Sequence, residues 1–174
     1  GHFLTLSIGL GLLLLLTGAV YMHQLQLAKD TTDAAQTLQT SETTPYTTLT
    51  GESYSFDQHE NTVRVVTTWA TWSPYSTEQL ALLDTLAKRY TDQPVVFLAI
   101  NRQEPRYRIE SYLKAQTELY EALNIIIDET DAFYQAAAGY AMPETRVYDQ
   151  SGTTVLSIQG PVTKNQIEAV LAEL

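Results

Sequence analysis

No cysteine occurs anywhere in the 174 residues. Disulfide exchange needs a thiolate as nucleophile, so that chemistry is closed to this chain. Structural disulfides, cysteine-ligated zinc and iron–sulfur clusters are excluded with it. Copper carriage loses its soft ligands too: only Met22 and Met142 stand in for sulfur, and they lie far apart in sequence. No metal and no cofactor is predicted. Cations are scarce as well, with 10 Lys and Arg against 20 Asp and Glu and a net charge of −10. Nucleic acids and anionic bilayer surfaces both select clustered Lys and Arg, so neither is a predicted electrostatic partner.

What is present begins with FLTLSIGLGLLLLLTGAV, an uncharged run from Phe3 to Val20. Roughly 18 apolar residues suffice to cross a hydrocarbon core of ~30 Å. A cleaved signal peptide has a shorter apolar core and a small-residue cleavage site. Here Tyr21, Met22 and His23 follow instead, in the manner of an interfacial girdle. The expectation is a retained single-span anchor over residues 1–22, in contact with the bilayer through Phe3 to Val20. Asp30, Asp33 and Glu42 follow it with only Lys29 between, which favours an extracytoplasmic position for the rest. Residues 23–44, ending in Thr-Ser-Glu-Thr-Thr before Pro45, read as an extramembrane helix and linker.

From Pro45 the pattern changes to alternating strands and helices, predicting one domain over residues 45–174. Tyr46–Leu49 and Ser53–Phe56 flank Thr50-Gly51-Glu52 as a hairpin. Val63–Thr68 and Pro94–Ile100 are β-branched or apolar runs suited to buried strands, with a helical period over Thr77–Tyr90 between them. A second helix is expected over Arg108–Leu123, then a strand at Asn124–Ile127 and a short helix at Ala132–Ala138. Arg146–Tyr148 and Thr154–Gln159 flank a turn at Asp149–Gly152, and Asn165–Leu174 closes the chain as an amphipathic helix. The result is an α/β mixed sheet flanked by helices.

Between the first buried strand and its helix stands Trp69-Ala-Thr-Trp-Ser-Pro-Tyr-Ser76. With AINRQE (99–104), IIIDETD (125–131) and GYAMPETRVYDQSG (139–152), it resembles the membrane-anchored thioredoxin-like reductases of the TlpA/ResA type, within the redoxin (AhpC/TSA) superfamily. The resemblance covers about residues 45–174 and implies a thioredoxin-like fold, preceded by the hairpin and the single transmembrane helix. It implies that Ser73 and Ser76 occupy the attacking and resolving cysteine positions, so both sulfurs are replaced by oxygen. It further implies that Pro143 follows a cis peptide bond beside the redox pair, and that Glu104 occupies the acidic position that tunes the cysteines. Trp72, Pro74, Tyr75, Met142 and Pro143 then outline a surface for a bound polypeptide. The compartment implied is the bacterial inner membrane, with the domain on the periplasmic side.

Each of these residues also has a plain structural role available. Ser73 is expected to cap the helix, with Pro74 at its first position. A nucleophilic serine would need a base, and none of His2, His23 or His59 lies in the motif. Trp69 and Trp72 read as packing residues, Trp72 the more exposed, while Glu104 stands open between a relic acid and a solvated loop carboxylate. Two functions follow. One is a redox-inactive scaffold or accessory subunit of a membrane complex, of respiratory or cytochrome-assembly type, with integral membrane proteins as partners. The other is a reductase of the cytochrome c maturation type whose cysteines were changed to serine.

Overall fold

All seven residues of β3, Val63–Trp69, are buried, as a β-branched run in the middle of a sheet should be. The structure, a computed structural model, describes residue 22, residues 46–116 and residues 120–174. The span expected over Phe3–Val20 and the linker over 23–44 lie outside the described residues. Among the described residues no helix is long and apolar enough to cross a membrane.

In chain order the elements are β1 (Tyr46–Thr48), β2 (Ser53–Tyr54), a 3-10 turn (Phe56–His59), β3, α1 (Ser76–Arg89) and β4 (Val95–Arg102). They continue with α2 (Arg106–Ala115), β5 (Asn124–Asp128), α3 (Ala132–Ala136), β6 (Glu144–Tyr148), β7 (Thr154–Gln159) and α4 (Lys164–Leu171). One seven-stranded sheet results, in the order β2-β1-β5-β4-β3-β6-β7. Strands β3, β4 and β5 are parallel, whereas β6 runs antiparallel to β3 and β1 antiparallel to β5.

Alternation along the strands feeds two cores. Val65, Trp69, Phe97, Ala99, Ile125, Ile127 and Val147 face one side, where Leu80, Leu83 and Leu86 of α1, Ile109 of α2 and Ile167 of α4 cover them. Val66, Leu98, Ile100, Ile126 and Tyr148 face the other, under Tyr46, Tyr54, Phe56 and Phe133. The apolar residues of α1 recur three and four apart, so they form the stripe that one sheet face requires. A capping box starts α4: Thr163 Oγ1 accepts the Gln166 N–H, and Gln166 Oε1 accepts the Thr163 N–H at 2.9 Å.

The expected helix over Arg108–Leu123 is shorter than its periodicity predicts and ends at Ala115. Asp84 of α1 supplies the reason. Its buried carboxylate accepts the backbone N–H of Ala122 at 2.9 Å and of Leu123 at 3.1 Å, which holds that segment in a non-helical turn and seats Leu123 in the core. Lys88 neutralises the same carboxylate at 2.8 Å. Asp84→Ala removes one acceptor from two N–H groups and should cost about 3 kcal/mol, read as a lower urea midpoint at unchanged slope. An unchanged midpoint would show that the carboxylate does not hold this turn.

Candidate functional site

Four connections meet at the carboxyl ends of the parallel strands. They are the turn after β3 (residues 70–75), the segment after β4 (103–105), the loop before β6 (140–143) and the segment after β7. Pairing of Thr68 with Glu144 sets the first beside the third, and the Gly160 N–H donates to Pro143 O at 2.8 Å, which joins the fourth. The Met142–Pro143 peptide bond is cis, as the resemblance implied.

Trp69 is a packing residue: it is buried, its indole N–H donates to Ala99 O at 3.3 Å, and its ring lies 5.7 Å from that of Tyr112. Trp72 points the other way and is 64% exposed. Between Trp69 and α1 the chain makes two tight turns, with Ser73 N–H donating to Ala70 O and Ser76 N–H to Ser73 O at 3.1 and 3.2 Å. The helix begins at Ser76, with Tyr75 in the capping position.

Ser73 therefore does not cap the helix, and Pro74 is not its first residue. The N–H that a Ser73 hydroxyl would accept already bonds Ser73's own carbonyl. The hydroxyl is buried and has no hydrogen-bond partner among the described residues. Ser76 behaves differently: its buried hydroxyl donates to Ala70 O at 2.7 Å and so closes the turn. Among the described residues neither serine has a histidine base within reach. Of the histidines only His59 is described, and it precedes the start of β3 while the serines follow its end, a separation of about 20 Å along a seven-residue strand. Among the described residues no group of three His, Asp or Glu is placed to hold a metal ion.

Glu104 is neither a free acid nor solvated. Its buried carboxylate accepts the Thr71 N–H at 2.7 Å, the Thr71 hydroxyl at 2.6 Å and the Asn101 amide at 2.9 Å. Arg108 approaches to 3.9 Å. Thus Asn-x-x-Glu works here as a buttress that ties the serine-bearing turn to the end of β4. Thr71 carries no signal in the sequence that would reveal it as the other half of this contact.

A second buried carboxylate holds the loop around Pro143. Glu144 accepts the Tyr140 N–H at 3.0 Å and binds the Arg146 guanidinium at 2.9 and 2.5 Å. The strand expected from the sequence begins only at Arg146 and so misses the pair; residues two apart on a strand share a face, which is the signal that could have found it. Tyr134 donates its hydroxyl to Ala141 O at 3.2 Å, and Arg102 lies 3.3 Å over the Tyr134 ring while pairing with Asp131. That hydrogen bond to Asp131 raises the Arg102 pKa, and desolvation raises that of Tyr134 against the pull of the cation. Gly139 has no room for a side chain, since a Cβ there would sit 2.2 Å from the Tyr134 ring. Of the expected binding residues, Trp72, Pro74 and Tyr75 are exposed, Met142 is half-buried and Pro143 is buried. Exposed Tyr140 was not anticipated.

With this geometry in place, comparison with known proteins is informative. A family model described as Redoxin matches residues 28–171. The thiol-disulfide oxidoreductase ResA of Geobacillus kaustophilus is 25% identical over 128 residues, 74% of this chain and 72% of that one. The pneumococcal exposed lipoprotein thioredoxin Etrx1 of Streptococcus pneumoniae superposes with a TM-score of 0.67 at 19% identity, covering 75% of this chain and 98% of that one. A secreted Mycobacterium tuberculosis disulfide oxidoreductase homologous to E. coli DsbE gives 0.65 at 17% identity, over 80% and 98%. The fold is thioredoxin-like.

The two serines should respond in opposite ways to truncation. Ser73→Ala removes a buried hydroxyl without a partner, and should leave stability unchanged or raise it by up to about 1 kcal/mol. Ser76→Ala removes one of the two hydrogen bonds that Ala70 O accepts, leaving it the Ser73 N–H, and should cost about 1 kcal/mol. Chemical denaturation of the two variants checks the pair; equal losses would show that Ser73 is bonded after all.

Proposed function

Because the chain belongs to the redoxin family yet carries oxygen at both redox positions, we propose that it is a redox-inactive thioredoxin-fold protein that acts by binding. Its place would be that of a scaffold or accessory subunit of a membrane complex, of respiratory or cytochrome-assembly type. The domain would stand on the extracytoplasmic side, held there by the apolar run Phe3–Val20, and would meet the exposed parts of integral membrane proteins.

The observation that carries this reading is where the exposed apolar surface lies. Of seven large exposed hydrophobic side chains among the described residues, Trp72, Tyr75, Tyr107 and Tyr140 all belong to connections or first turns at the carboxyl ends of the parallel strands. Residues 69–77 and 139–143 contain no charge, and the nearby carboxylates Glu104 and Glu144 are buried and fully engaged. Tyr107 stands between Arg106 and Arg108, but Trp72, Tyr75 and Tyr140 are exposed aromatics in uncharged stretches, the composition of an interface core rather than of an ordinary acidic surface. In a redox enzyme such a surface presents a substrate to the thiols. Without thiols, only the docking step is left.

One observation favours the second reading, a reductase whose cysteines were replaced. The Ser73 hydroxyl is buried with no hydrogen-bond partner among the described residues, a setting that suits a thiol better than an alcohol. The frame supports a direct consequence in either case. Ser73→Cys with Ser76→Cys should fold stably, form a disulfide on mild oxidation and reduce insulin slowly but measurably. Failure to form the disulfide would show that the site has lost more than its sulfurs.

The binding role is tested on the full chain purified in gentle detergent. It should bring a defined membrane partner with it, and Trp72→Ala, Tyr75→Ala and Tyr140→Ala together should lower recovery of that partner at least about tenfold. A chain that emerges free of other proteins, or a partner indifferent to the three substitutions, would contradict the role.

A further inference from the structure

Between α3 and β6 the sequence and the backbone disagree about where a glycine belongs. Helix α3 ends in a Schellman arrangement, with the Gly139 N–H donating to Tyr134 O at 2.8 Å and the Ala138 N–H to Gln135 O at 3.1 Å. Such an ending places one residue in the left-handed region, where glycine is at ease and a Cβ is strained. Here that residue is Ala138, at φ 48°, although a glycine stands next to it. Gly139 itself adopts no left-handed conformation. What requires the glycine is the Tyr134 ring, because a Cβ at 139 would collide with its Cδ2, Cε2 and Cζ atoms. The glycine therefore serves the ring and not the helix end, and the strain at Ala138 is what that placement leaves behind. Strained non-glycine backbone collects where a set geometry is needed for function.

The ring is held from a second direction as well. The Arg102 guanidinium lies 3.3 Å over its centroid, oriented by Asp131, which accepts both its Nε–H and its Nη2–H. Asp131 is buried, so the guanidinium cannot leave without stranding that carboxylate. A ring fixed in this way delivers its hydroxyl to one place. The hydroxyl donates to Ala141 O at 3.2 Å, and Ala141 stands between Tyr140, which is 83% exposed, and half-buried Met142. Neither of these side chains belongs to either core, so the loop depends on its backbone contacts for its place.

We propose that Tyr134 is the positioning residue of the aromatic surface, fixing through Ala141 the loop on which Tyr140 and Met142 meet the partner. The inference rests on the docking role proposed above and adds to it a residue that acts through another. Arg102, at the end of β4, belongs to the same device. Removing the hydroxyl alone leaves the ring, its cation and the Gly139 contact in place but frees Ala141 O. The loop then occupies its docking position only part of the time, and binding weakens by that fraction.

The test uses the full chain in gentle detergent, with the membrane partner that co-purifies with the parent chain as the probe. The Tyr140 N–H donates to Glu144 at 3.0 Å, so its exchange with solvent reports the position of the loop. Tyr134→Phe should leave the urea midpoint unchanged, raise exchange at the Tyr140 amide at least about tenfold and lower recovery of the partner at least about fivefold. Arg102→Lys keeps a cation for Asp131 but loses the flat guanidinium over the ring, and should move exchange and recovery in the same direction. Gln135→Ala, exposed on the same helix, should move neither. Recovery unchanged in Tyr134→Phe overturns the proposal whether or not exchange rises. A loss of partner that follows a fall in the midpoint, or that Gln135→Ala shares, makes the role merely structural and overturns it equally. If the triple substitution of Trp72, Tyr75 and Tyr140 lowers recovery and Tyr134→Phe does not, the docking role stands and the positioning role falls. If no partner co-purifies, or neither change lowers its recovery, both fall.

Discussion

The buried carboxylate of Glu104 is the fixed point from which the serine-bearing turn is hung. Three hydrogen bonds of 2.6–2.9 Å run from Thr71 and Asn101 to its two oxygens, so the end of β4 and the turn after β3 cannot shift apart without stranding a buried charge. The Ser76 hydroxyl closes the same turn from the helix side through Ala70 O. None of these contacts involves the redox positions as redox groups. A site held in this way keeps its shape when sulfur is exchanged for oxygen, because a buried carboxylate and its donors enforce the geometry.

That separation of shape from chemistry explains the functional reading. The frame still displays Trp72, Tyr75 and Tyr140 beside the cis-proline loop, and Glu144, Arg146 and Tyr134 hold the loop as firmly as Glu104 holds the turn. Only the ability to exchange electrons through Ser73 and Ser76 is missing. A fold does not dictate a function; here the residues at the site remove one activity and leave the exposed aromatics Trp72, Tyr75 and Tyr140 in place.

Much of the scaffold was legible in the sequence. The β-branched run of β3, the apolar run of β4 and the stripe on α1 each carry their own periodicity, and Asp149–Gly152 marks the β6–β7 turn. Legibility failed where tertiary contacts outrank local pattern. The segment before Leu123 continues a helical spacing, but Asp84, distant in sequence, claims its N–H groups. Ser73 and Pro74 match a helix start, yet the turn spends the Ser76 N–H on a carbonyl first and the helix begins later. Glu104 was ambiguous by itself because its meaning lies in Thr71, thirty-three residues away.

The central claim is that the chain made by its own cells carries hydroxyls where its redox relatives carry thiols. Intact mass after reduction and exhaustive alkylation of the protein isolated from its natural source measures this directly. The account predicts a mass with no alkyl adduct. Two adducts mapping to positions 73 and 76 would contradict it and make the molecule a reductase.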